Sequence, residues 1–162
     1  MTSSEWNTTS FAYGLAAAKM NGDARPDLVV YSGPGISVLL NKGDGTFPTS
    51  SSVYPYGGPF VVGDFTGDGI NDVVVLGSSQ LTVLTGKGDG TLSQTIPPVI
   101  GYGQALATAD LDGDGALDLV AVNSLGVVRF MNNGPVSIHC TATSPGVVSV
   151  VRWAVPRKGV PC

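Results

Sequence analysis

Charge is scarce in this chain: Asp, Glu, Lys and Arg make up 12% of its 162 residues, against 43% hydrophobic ones. That balance excludes a disordered chain, which combines low hydrophobicity with high net charge. The eight Lys and Arg are scattered, so no basic patch is offered to nucleic acid. Histidine occurs once, as His139 beside Cys140. Nothing around it suggests a Ser/His/Asp triad or a multi-histidine metal site. The two cysteines, Cys140 and Cys162, lack metal-ligand spacing and stand either as one disulfide or as two free thiols. No apolar run reaches the roughly 18 residues of a transmembrane helix, so membrane insertion is not expected. Met1 to Tyr13 lacks the basic start and apolar stretch of a signal peptide. The chain is therefore intracellular, or its secretory segment lies outside this sequence.

What the sequence does have is glycine, at 23 copies, and acid in three places. Nine of the 12 acidic residues lie at 23, 27, 64, 68, 72, 110, 112, 114 and 118. Residues 110–118 read Asp110-Leu-Asp112-Gly-Asp114-Gly-Ala116-Leu-Asp118; 64–72 read Asp64-Phe-Thr66-Gly-Asp68-Gly-Ile70-Asn-Asp72. A degraded copy runs from Lys19 to Asp27. The last Asp of each steps from 27 to 72 to 118, a period of 45 and then 46. A period in that range signals a repeat architecture.

Aligned on these loops, the copies share a plan. Short apolar segments precede them (Leu15–Ala18, Phe60–Gly63, Leu106–Ala109) and β-rich runs follow (Asp27–Tyr31, Asp72–Leu76, Asp118–Val122). A third run comes next (Ile36–Leu40, Leu81–Leu84, Val127–Phe130), then a glycine turn over 41–47 and 86–92, shortened in the third copy to Asn132-Asn-Gly134. Four short strands per period, parted by Gly, Asn and Asp turns, predict the blade of a β-propeller. Alanines at 16–18 favour helix locally, but their counterparts are rich in Val, Phe and Thr, so a strand is expected. The fold expected is all-β: a partial propeller of about three four-stranded antiparallel blades, with extra strands at both ends. The boundaries are 11–56, 57–102 and 103–143. Residues 1–10 form a trailing strand, and 144–162 a divergent tail or the leading strand of a further blade. Three blades cannot close a ring, and open edges invite self-association or a longer propeller.

The loops also carry chemistry. Asp110, Asp112 and Asp114 can turn inward around one ion, the Ala116 carbonyl can join them, and Asp118 closes the shell. Such oxygens suit Ca²⁺, which takes six to eight. Without a cation each carboxylate pair repels by about 1–4 kcal/mol. The second loop offers Asp64, Thr66, Asp68, the Ile70 carbonyl and Asp72, and should bind more weakly. In the first, Lys19 replaces the leading Asp, Ala24 a glycine, and Pro26 adjoins Asp27, so no metal is expected; the lysine could stand in for the ion's charge. An EF-hand is excluded: its twelfth position falls on Val75 and Ala121, where a Glu is required. Asp44 and Asp89 are read as turn residues. Trp6, Tyr54, Tyr56 and Tyr102 are read as packing, with sugar stacking the alternative. Asn7-Thr8-Thr9 fits a glycosylation sequon.

Phe60–Val73, with Leu106–Val120 beside it, resembles the FG-GAP/VCBS-type repeat of integrin-α-like β-propellers, over roughly residues 11–134. The resemblance implies Ca²⁺ in the loop between the first two strands of each blade. It also implies an extracellular or cell-surface protein whose propeller binds a protein or glycan. The function expected is a non-catalytic adhesion or ligand-binding scaffold with structural calcium. The alternative is the propeller part of a secreted polysaccharide-active enzyme or lectin.

Overall fold

The structure is a computed structural model that describes residues 11–33, 35–53, 58–77, 80–94, 99–100, 103–123, 126–132, 139–140 and 149–153. Among these there is no helix, so none long and apolar enough to cross a membrane. Three sheets follow one another along the chain. The first pairs β1 (Ala12–Ala18), β2 (Asp27–Ser32), β3 (Gly35–Leu39) and β4 (Thr49–Val53) in order, all antiparallel. Alanine-rich β1 is a strand because its neighbours supply the hydrogen bonds, which outweighs local propensity.

The second sheet repeats this with β5 (Phe60–Gly63), β6 (Asp72–Leu76) and β7 (Gln80–Gly86). Its outer strand comes in two pieces, β8 (Leu92–Gln94) and β9 (Val99–Ile100), both antiparallel to β7. The third has β10 (Ala105–Ala109), β11 (Asp118–Asn123) and β12 (Gly126–Asn132) in the same order. There the plan departs from uniformly antiparallel blades. Beyond β12 comes β14 (Ser149–Trp153), running parallel to it, and then β13 (His139–Cys140). The third copy lacks the full glycine turn that returns the chain at once in the other two. The bare edge of β12 is filled instead by a later segment, and a parallel partner requires such a long connection. Residues 149–153, expected in the tail or at the head of a further blade, thus complete the third.

The sheets stack through their faces. Met20, Val29, Ile36 and Val38 of the first meet Val73, Val75, Leu84 and Leu92 of the second. Phe65, Val74, Leu76, Leu81 and Val83 of the second meet Leu119, Ala121 and Phe130 of the third. Alternate side chains of β6 therefore point to opposite cores, and all five of its residues are buried. This is the near-continuous hydrophobic strand expected where both faces are covered. The initial strands β1, β5 and β10 approach one another along the inner edge. This arrangement is that of three consecutive propeller blades, and it puts the three acidic loops, one per blade, along the same side of the stack.

Candidate metal centre

Each acidic loop joins the first strand of its blade to the second, and its last Asp lies buried. That carboxylate is consumed by backbone in a repeated way. One oxygen accepts the amide seven residues back: Met20 to Asp27 at 2.8 Å, Phe65 to Asp72 at 3.0 Å, Leu111 to Asp118 at 2.8 Å. The other accepts the amide fourteen residues on, at the end of the third strand: Asn41 at 2.9 Å, Gly86 at 2.9 Å, Asn132 at 2.7 Å. The last Asp thus ties the loop to two strands before any ion is considered. Thr66 adds a third amide to Asp72, at 3.1 Å. Burial nevertheless raises the Asp72 pKa from 3.8 to about 6; the three amide bonds pull it down and the nearby Asp68 charge pushes it up.

In the third loop the carboxylate oxygens of Asp110, Asp112 and Asp118 lie within 4.8 Å of one another. Ligands on opposite sides of a Ca²⁺ at 2.3–2.6 Å stand about 5 Å apart, so this triangle fits such an ion. Each Asp118 oxygen keeps a second lone pair beyond its amide bond. Gly113 and Gly115 hold φ of 79° and 85°, which a side chain would resist. Their amides turn in to donate to Asp110 at 2.7 and 3.0 Å. Asp114 stands outside the triangle and accepts the amide of Ala116 at 2.8 Å.

The second loop is folded on itself. Asp64 accepts amides from Gly67 at 2.6 Å, Asp68 at 3.1 Å and Gly69 at 2.8 Å, and the Thr66 hydroxyl at 3.3 Å. Asp68 accepts the amide of Ile70 at 2.9 Å. Its three carboxylates do not converge as those of the third loop do. In the first loop Asp23 is paired with Arg25 at 2.6 Å. Sequence reasoning passed over Arg25, although its alignment with Ile70 and Ala116 marked it as the one cation at that position.

Asp44 and Asp89 accept the hydroxyl and amide of Thr46 and Thr91 within their own hairpins. These bonds, the hydroxyl's foremost, hold both pKa values below the usual range. The turn reading accounts for them. Trp6, Asn7, Tyr54, Tyr56, Tyr102 and Cys162 lie outside the described residues. Another aromatic group was not anticipated. Tyr13, Tyr31 and Phe60, with Pro59, Gly14 and Gly58, line a cleft of about 580 Å³ between the first two blades. The two tyrosine rings sit 5.8 Å apart at 40°. The sequence signal was an aromatic in each of two adjacent strands, visible only once β1 and β2 were paired.

Stacked sheets of four or five strands, a period of 45 and then 46 residues, and acidic glycine loops between first and second strands define a propeller-type repeat protein. Residues 19–75 and 64–121 match the FG-GAP-like repeat, and the chain belongs to that family. No curated protein sequence matches it. Among solved structures it is similar to that of an Agrocybe aegerita lectin described as specifically recognising non-reducing terminal N-acetylglucosamine. The TM-score is 0.52 and the identity 26%, over 68% of this chain and 33% of that one. The chain thus spans about a third of the lectin's length.

Proposed function

We propose that this chain is a non-catalytic ligand-binding section of an extracellular FG-GAP propeller, with Ca²⁺ held structurally and a glycan as ligand. The cleft between blades 1 and 2 carries the reading. Its walls are aromatic and apolar, with two tyrosine hydroxyls as their polar side-chain groups. Rings of this kind stack on sugar faces while their hydroxyls bond the rim. Among the described residues the lining holds no carboxylate, histidine or lysine, which favours binding over turnover. The lectin neighbour supports the same class of ligand. Titration with a GlcNAc-terminated oligosaccharide should shift the amides around Tyr13, Tyr31 and Phe60. Tyr31→Ala should abolish that response without unfolding the chain. Unmoved cleft amides across a panel of GlcNAc-, galactose- and mannose-terminated glycans would sink the glycan reading.

Asp110, Asp112 and Asp118 would hold the ion, with Asp114 and the Ala116 carbonyl close by on the same loop. Bound there, Ca²⁺ supplies charge compensation and cross-linking, which couples metal to folding. At free Ca²⁺ a hundredfold above Kd it adds about 2.7 kcal/mol. EDTA should therefore lower the melting temperature by several degrees, and Asp112→Asn should remove that difference. A melting curve indifferent to EDTA would end the structural-calcium claim.

The partner surface follows the repeat. Leu15 is 67% exposed, whereas its counterparts Phe60 and Leu106 pack against the preceding blade. Val127 is 45% exposed, where Ile36 and Leu81 are at 0% and 2%. Further blades, from a second copy or a longer array, fit these faces. Because Leu15 also lines the cleft, solution mass measured with and without Val127→Asp tests self-association.

A further inference from the structure

FG-GAP repeats often carry a cation in the loop between the first two strands, and the first loop is where the residues of this chain fit a metal least. Lys19 stands where Asp64 and Asp110 stand, and Asn21 where Thr66 and Asp112 stand. What remains is already engaged. Asp23 accepts the Arg25 amide on Oδ1 at 2.8 Å, and Arg25 Nη2 at 2.6 Å with Asn21 Nδ2 at 3.2 Å on Oδ2. Asn21 Oδ1 accepts the amide of Asp23 at 3.0 Å. Arg25 Nε donates at 2.8 Å to the carbonyl of Asn41, the first residue of the glycine turn over 41–47. We propose that Arg25 is the resident cation of the first loop, so that blade 1 is closed by a guanidinium where FG-GAP blades often carry a metal. A planar fork of five donors suits the task, because it can hold a carboxylate and a carbonyl at once.

The repeat shows what else this position does. Arg25 aligns with Ile70 and Ala116. The stem of Arg25 covers Gly43, its Cδ 3.1 Å from where a Cβ would sit, and Ile70 covers Gly88 in the same way at 3.2 Å. In the third copy, where the hairpin is cut short, alanine suffices. The seventh loop position is thus an apolar cover for the hairpin, and in blade 1 the cover also carries the charge. Lys19, the other candidate for that charge, is exposed and makes no ion pair among the described residues; only its backbone carbonyl is engaged, by Asn71 Nδ2 of blade 2 at 3.1 Å.

The test separates cover from charge. Arg25→Leu keeps the cover and removes the cation; Arg25→Lys restores a positive charge without the fork. Amide exchange is followed in the whole chain in EDTA, and amide shifts are followed in a Ca²⁺ titration of the unmodified protein. Exposed ion pairs are worth at most about 1 kcal/mol, so Arg25→Leu should speed exchange at Asp23 and Asn41 by roughly two- to fivefold. Arg25→Lys should recover part of this. The amides of 20–25 should not move with Ca²⁺. Unchanged exchange in Arg25→Leu would overturn the proposal, and so would Ca²⁺ shifts at 20–25 matching those at 111–116. The proposal rests on reading the loops as cation sites, yet it fails separately. If 111–116 ignore Ca²⁺ while Arg25→Leu opens the first loop, the resident cation stands and calcium in blade 3 falls.

Discussion

At the scale of the residue, the last Asp of each loop is buried and held from two sides. Asp27, Asp72 and Asp118 each hold two amides from opposite directions. A side chain that cannot accept them leaves buried donors unpaired, at about 1–3 kcal/mol each. Asp118→Ala should therefore lose several kcal/mol in a urea titration, and more than Asp114→Ala, whose bond lies on the exposed loop. Asp72 adds a pH signature. Its folded pKa of about 6 lies above the ordinary 3.8, so the folded chain binds that proton more tightly than the unfolded one. Its contribution to stability is full below 3.8 and is lost as pH rises through about 6. Carboxyl carbon shifts read by NMR in EDTA should show Asp72 titrating well above Asp44 and Asp89.

At the scale of the element, strands were legible because the same run of residues occurs three times. The expected segments 27–31, 72–76 and 118–122 are β2, β6 and β11 with at most one residue added. Comparison of copies also turned Ala16–Ala18 from helix to strand. The loops were legible as carboxylates in sequence, but not as geometry. Which oxygens converge depends on how each loop's amides spend them, and Asp64 spends its own inside the loop. The parallel pairing of β14 with β12 was hidden because 135–162 follow the period poorly, and a strand there was expected only at the head of a further blade. The cleft and Arg25 were hidden because each is formed by residues on different elements. Close approach between elements also makes a prediction. A Cβ on Gly86 would fall 2.3 Å from the carbonyl oxygen of Asn71. Gly86→Ala must move backbone, and should lower stability by about 1–3 kcal/mol, read from the thermal midpoint.

At the scale of the whole molecule, two cores hold three sheets, and the middle sheet belongs to both. Phe130 is buried at 2% and is among the largest side chains of the second core. Phe130→Ala should cost about 3–5 kcal/mol and loosen blade 3 before blade 1, as resolved by tryptophan-independent probes such as methyl NMR. The walls that meet at the two cores are made from matching positions. Val29, Ile36 and Val38 correspond to Val74, Leu81 and Val83; Val73, Val75 and Leu84 correspond to Leu119, Ala121 and Phe130. In the second set a smaller residue at one place accompanies larger ones beside it, so the volume is roughly kept. Either wall of one kind can therefore seat against either wall of the other. A chain built this way can drop or duplicate a whole period and still find its core closed, so its natural unit of length variation is the blade.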